Sequence, residues 1–171
     1  MIHSIELRRG YSLEIVIIAV GRMKERYLAE GIREYMKRLR PYVNLLIHEV
    51  ADEHLQKGPA PGAELISKTR EGRRLLEALP ENAILVALDP EGEEWPSREL
   101  AARLNEWELQ GRGRIAFAIG GELGLSEEVL VRADQVLSLS RMTFPYQIAR
   151  LLLLEQIYRA FRINRGEPYH R

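Results

Sequence analysis

Four short stretches hold most of the residues able to do chemistry: VALDPEG (86–92), IGGELG (119–124), SLSRMTFP (138–145) and the closing RINRGEPYHR (162–171). The first three each follow an apolar run, and each offers something different. Gly120 and Gly121 remove side chains where backbone must approach another surface. Ser138, Ser140 and Thr143 bring hydroxyls, and the turn around Met142 can aim backbone N–H and C=O groups at a ligand. Leu88, Leu139 and Phe144 are apolar enough to sandwich a planar ring. Each also has a bland reading: a tight strand-to-helix turn for the glycines, helix capping for Ser140 or Thr143, and turn chemistry for Asp89-Pro90. The last stretch sets three arginines, a tyrosine and a histidine on the chain end, where a frayed, solvated tail is the ordinary outcome.

Several familiar sites are missing. There is no GxxxxGK[ST] phosphate loop and no GxSxG elbow. The first strand runs into AVGRMKE, without the GxGxxG of a dinucleotide fold. His3, His48, His54 and His170 lack metal-ligand spacing, so no metal site is expected.

Alternating elements must position these stretches. LEIVIIAV (13–20), VNLLIHEV (43–50), AILVALD (83–89), IAFAIGG (115–121) and QVLSLS (135–140) read as strands. Helical spacing of apolar residues runs over 25–39, 63–79, 97–110 and 145–162, with a short helix in SEEVLVRA. Ser97 and Ser126 are the expected N-caps. The strands are near-continuously apolar, which predicts an α/β domain on a mostly parallel sheet with helices on both faces. In such sheets ligands bind beyond the carboxyl ends of the strands, where three of the four stretches fall. The last helix carries Leu151, Leu152, Leu154, Ile157, Tyr158 and Phe161 over a wide arc. That predicts packing on two sides, within the fold or in a homodimer. MIHSIELRRGYS (1–12) reads as an N-terminal extension to a single domain over 13–171.

The chain has 171 residues, 46% hydrophobic and 29% charged, as an ordinary globular protein does. It has no cysteine, so thiol chemistry and disulfides are excluded, in keeping with a cytoplasmic setting. IVIIAV is too short to span a membrane, and no membrane partner is expected. Net charge is zero, but residues 22–40 hold seven basic against three acidic side chains and 141–171 six arginines against two glutamates. Residues 81–110 run the other way, eight acidic to two basic. Basic ends around an acidic middle suit a polyanion, or simply solvated helix faces.

IIAVGRMKE, IGGELG, SLSRMTFPYQIARLLLLEQIYRAFRI and GEPYHR together closely resemble the small SPOUT-superfamily ribosomal RNA methyltransferases, over about 13–171. The resemblance implies a C-terminal trefoil knot, which ordinary topology rules would reject. It also implies S-adenosylmethionine as methyl donor, a homodimer, and 23S ribosomal RNA as substrate, within an assembled ribosome. The acceptor it implies is N3 of a pseudouridine in the helix-69 loop. Carried over by position, the cofactor contacts fall on Leu88, Gly120, Leu139, Ser140, Arg141, Met142, Thr143 and Phe144. The tail then becomes the RNA-facing half of an active site. His170 is placed to take the N3 proton, Tyr169 to stack on the base, and Arg162, Arg165 and Arg171 to hold phosphates. Two positions depart from the family pattern: Glu122, where a proline or small residue usually follows IGG, and Tyr146, where a histidine commonly follows the proline. Two rival functions stay open, an S-adenosylmethionine-binding assembly factor without transfer activity and a hydrolase using Ser140 with His170.

Overall fold

The computed structural model describes residues 12–54 and 61–169. Five strands, β1 (Glu14–Val20), β2 (Asn44–Val50), β3 (Ile84–Glu94), β4 (Arg114–Ile119) and β5 (Gln135–Ser138), form one sheet in the order β2-β1-β4-β3-β5. Every pairing is parallel. Between them run α1 (Arg26–Leu39), α2 (Ala63–Glu77), α3 (Ser97–Leu109) and α4 (Glu127–Arg132), with α5 (Tyr146–Asn164) closing the fold.

β1 shows why the strands read as unbroken apolar runs. Ile15, Ile17 and Ala19 point into a core shared with Ile32 of α1, Leu104 of α3 and Leu154 of α5. Val16, Ile18 and Val20 point the other way, toward Leu75 of α2 and Val129 of α4. With helices on both faces, both faces of each central strand must be apolar.

The connections leave β1 and β4, which are neighbours, in opposite senses. From β1 the chain passes over the α1 face to β2, and from β4 it passes over the α4 face to β5. This reversal opens a crevice at the carboxyl ends of two adjacent strands, the place where open α/β sheets take ligands.

Three details differ from expectation. Ser97 does not cap α3: Pro96 holds the cap position, and Ser97 Oγ donates to Gln156 Oε1 at 2.6 Å. Ser126 does cap α4, accepting from Val129 N–H. β5 stops at Ser138, because Ser138 Oγ donates to the Ser140 carbonyl at 3.0 Å and Ser140 Oγ accepts from Met142 N–H at 3.0 Å. Those bonds bend the chain into a turn where alternation alone continues the strand.

β3 is longer than expected, and its register breaks. Leu137 is faced by Leu88 and again by Glu93. Between them, a Cβ on Gly92 would stand 2.7 Å from the Val136 carbonyl oxygen, so only glycine lets the chain pass β5 this closely. On the opposite face, a Cβ on Gly72 would overlap Ser126 Oγ, which seats α2 directly on the cap of α4.

The broad apolar arc of α5 is largely covered at home. Leu154 is fully buried and Tyr158 is 7% exposed, packed by Tyr35, Tyr42 and Tyr169. Leu151 and Leu152 stay half-buried. The arc therefore reflects packing on the sheet and on α1 and α3, and by itself it does not require a second subunit.

Candidate active site

A cavity of about 740 Å³ opens at the carboxyl ends of β3, β4 and β5, within the range of small-molecule sites. Seven of the eight positions expected to hold a cofactor line it: Leu88, Gly120, Leu139, Ser140, Met142, Thr143 and Phe144. The eighth, Arg141, does not. Its side chain is 89% exposed and lies 3.9 Å from Glu94. Ile119, Leu137 and Ala149 deepen the apolar wall, while Lys68 and Asp89 bring charge to it. Ala149 follows from the start of α5 just after Phe144; Lys68 comes from α2, far off in sequence, and no local pattern singled it out.

The glycines of IGGELG serve the loop itself. A Cβ on Gly120 would lie 2.5 Å from the Gly124 carbonyl carbon and 2.8 Å from Leu125 N. Gly124 takes φ +78°, in the left-handed region. The segment thus folds on itself, with Gly124 N–H donating to the Gly121 carbonyl at 3.1 Å, and offers bare backbone to the cavity.

Gly121 faces the other way. A Cβ there would meet Val20 at 3.0 Å and Glu71 Oε2 at 3.2 Å. Glu71 is 5% exposed; its Oε1 accepts from Glu53 N–H at 2.9 Å, and Oε2 has no hydrogen-bond partner. Burial pushes its carboxyl above the ordinary carboxylate range; the Glu53 N–H opposes this, and the charges of Asp52 and Glu53 reinforce it. Glu71 escaped notice in the sequence because a lone acid on an amphipathic helix reads as solvated surface.

The two departures, Glu122 and Tyr146, both line the cavity. Tyr146 opens α5, and one turn on lies Arg150, 1% exposed. Arg150 pairs with Glu49 at 2.6 Å and donates to the Gly21 carbonyl at 3.0 Å, tying α5 to the turn after β1.

The tail is described as far as Tyr169, and none of its described residues lines the cavity. Gly166, at φ +65°, ends α5: its N–H donates to the Ile163 carbonyl and Glu167 N–H to the Arg162 carbonyl, a Schellman closure that turns the chain back. Tyr169 packs edge-on to Tyr158 with centroids 5.0 Å apart, under the Arg159 guanidinium, and donates to Glu155 at 3.2 Å. Burial first, then the bond with Tyr35 and the Glu155 charge, raise the Tyr169 phenol far above its usual pKa. It is a neutral hydroxyl at physiological pH. Arg162 is engaged by Glu167 at 2.8 Å and by the Tyr158 hydroxyl at 3.0 Å. Arg165 is exposed, stacked over Tyr42 at 4.3 Å. His170 and Arg171 lie outside the described residues. Glu155 is six residues past Ala149, the last α5 residue on the cavity wall, so Tyr169 meets α5 roughly 9 Å along the helix from the cavity.

Among the described residues no cluster of His, Cys, Asp or Glu could hold a metal, and no helix is long and apolar enough to cross a membrane.

A parallel α/β sheet with a largely apolar cavity beyond its carboxyl ends places the chain among α/β domains of the kind whose ligand sites lie at strand ends. The family model described as "Predicted SPOUT methyltransferase" matches residues 13–170, and the chain belongs to that family. It is 52% identical over 160 residues to the "Ribosomal RNA large subunit methyltransferase H" of Carboxydothermus hydrogenoformans, covering 93% of this chain and 100% of the relative. A protein of the same name from Pelotomaculum thermopropionicum is 53% identical over 156 residues, covering 91% and 98%. A crystal structure described as "Probable Methyltransferase" from Bordetella pertussis Tohama I shares the fold, with a TM-score of 0.56 at 15% identity, covering 88% of this chain and 95% of that one.

Proposed function

We propose that this protein transfers a methyl group from S-adenosylmethionine to large-subunit ribosomal RNA, at N3 of a pseudouridine in the helix-69 loop of 23S rRNA. The relatives' names support the RNA, and the family supports the transfer. The observation that carries the cofactor is the convergence of Leu88, Gly120, Leu139, Ser140 and Met142–Phe144 on one cavity. Its apolar walls suit an adenine ring, and its exposed loop backbone suits the ring's polar edge. When bound, the sulfonium supplies an electrophilic methyl for in-line displacement, without a metal or a covalent enzyme intermediate. The chain's part is to seat the acceptor, exclude water and remove the N3 proton. His170 is the candidate base. Tyr169, held neutral, can hydrogen-bond or stack but not take a proton at neutral pH.

The described part of the tail, to Tyr169, packs on its own α5 away from the cavity, and we propose that the chain end serves the cavity of a second copy in a homodimer. Arg165 on the tail and the exposed Arg33 and Lys37 on α1 would then hold RNA phosphates. The same reading takes residues 1–12 as an extension outside the catalytic domain, places the protein in the cytoplasm, and knots the chain.

The test is single-turnover methylation of ribosomes by purified protein, with mass analysis of the rRNA. A methyl gained at one pseudouridine is expected. Cofactor and RNA binding with no methylated product would instead establish a non-catalytic assembly factor. A monomeric mass by light scattering at micromolar concentration would remove the homodimer.

A further inference from the structure

Beside the large cavity lies a second, smaller space of about 160 Å³, in the crevice where the connections from β1 and β4 diverge. Its walls include Lys24, Asp52, Glu71, Gly121, Glu122 and Tyr146. Gly121, Glu122 and Tyr146 also line the large cavity, so the two spaces meet along one loop and one ring. We propose that this crevice takes the α-amino-acid group of the methyl donor, ammonium toward Asp52 and Glu71, carboxylate toward Lys24. The proposal rests on S-adenosylmethionine being the donor.

Three observations point to a ligand group with both charges. The first is Glu71 Oε2, an acceptor with no hydrogen-bond partner in a side chain 5% exposed. Native proteins rarely leave such an oxygen unmatched, and an acceptor calls for a donor. The second is the incomplete pairing of Lys24 with Asp52. Their charged atoms are 3.8 Å apart, with 58% and 30% of their side chains exposed, so each retains capacity for another partner. A zwitterion inserted between them would satisfy both ends, where a simple cation or anion would match one and repel the other. The third is place: the crevice is at the reversal point of the sheet, and its entrance is the loop Gly121–Leu123 that also walls the nucleoside-sized cavity.

Glu122 and Tyr146, the two departures from the family pattern, both face this junction. Glu122 adds a further carboxylate on the ammonium side.

Titration calorimetry with two probes separates the possibilities. S-adenosylhomocysteine carries the amino-acid arm; 5′-methylthioadenosine carries the same thioether nucleoside without it. We expect wild type to bind the first about tenfold or more tightly than the second, as charge-assisted hydrogen bonds would give. Asp52→Asn and Lys24→Ala should each lower affinity for S-adenosylhomocysteine about tenfold and leave 5′-methylthioadenosine unchanged. Glu71→Gln keeps an acceptor for Glu53 N–H but can turn an N–H toward the ammonium, and should act the same way. Thermal midpoints near wild type would show the variants folded. Equal wild-type affinities for the probes, or variants that weaken both in parallel, would overturn the crevice assignment while leaving the donor in the cavity. Failure of both nucleosides to bind would overturn the donor reading and this one with it.

Discussion

The Arg150 guanidinium lies 2.6 Å from the Glu49 carboxylate, with the arginine side chain 1% and the glutamate 35% exposed. Glu49 also accepts from Met23 N–H at 3.1 Å, so this pair fixes the turn between β1 and α1 from two sides. Truncating one member of a fully buried pair costs about 3–5 kcal/mol; the partial solvation of Glu49 lowers that for Arg150→Met to roughly 2–3 kcal/mol. Urea denaturation should show it. Cofactor affinity should fall as well, because Tyr146 and Ala149 stand within one turn of Arg150 on the cavity wall.

Gly120 and Gly124 are predicted to fail differently. Gly120→Ala drives a Cβ into the backbone of Gly124 and Leu125 and must move the loop. A loss of about 1–3 kcal/mol is expected, together with most of the cofactor affinity. Gly124→Ala meets no atom within 4 Å and pays only for its left-handed backbone, ~1–2 kcal/mol. Calorimetry finding equal cofactor affinity for both variants would show that the loop tolerates displacement.

Removing residues 168–171 is expected to abolish methyl transfer while leaving cofactor affinity nearly unchanged, since no described tail residue lines the cavity. The polar sequence of the tail suggests that its loss is free of structural cost; the packing of Tyr169 on Tyr158 corrects this, and roughly 1 kcal/mol of stability should go with it. His170→Ala separates the effects. It should slow transfer about 10²–10⁴-fold if His170 is the base, with no change in melting. Full activity in the truncated protein would end the catalytic role of the tail.

Glu71 gives a pH-dependent prediction. Its folded pKa is raised above the roughly 4.3 of an unfolded glutamate, so the folded state holds the proton more tightly. Its contribution to stability is present below the unfolded pKa and is lost as pH rises through the folded one. The difference in melting temperature, Glu71→Gln minus wild type, should therefore grow more positive from about pH 4 toward neutrality. A flat difference would mean that the buried charge carries no penalty.

The positions of strands and helices were readable because the sheet is covered on both faces, which forces long apolar runs such as Ile15–Val20. The wall of the cavity was readable for a related reason: Leu88, Gly120 and Phe144 sit beside the glycines, prolines and hydroxyls that end strands. What escaped was long-range. Glu71 lies 50 residues before its neighbour Gly121, and neither residue type announces the other. The packing of Tyr169 escaped for another reason: charge and chain-end position hide a contact made by an aromatic ring. Nothing local to QVLSLS reveals that Ser138 and Ser140 spend their hydroxyls on a turn rather than extending a strand.

Gly72 and Ser126 touch across the α2–α4 contact, where the hydroxyl that caps one helix fills the notch left by the missing side chain of the other. The two positions therefore share a single degree of sequence freedom. Any side chain at 72 displaces the cap, and a residue larger than serine at 126 has no notch to enter. Substitutions at the pair should be strongly non-additive: Ser126→Gly, harmful alone, should recover part of the loss caused by Gly72→Ala. Variation at this contact is then expected to come in pairs, with a small residue retained on one helix wherever the other grows.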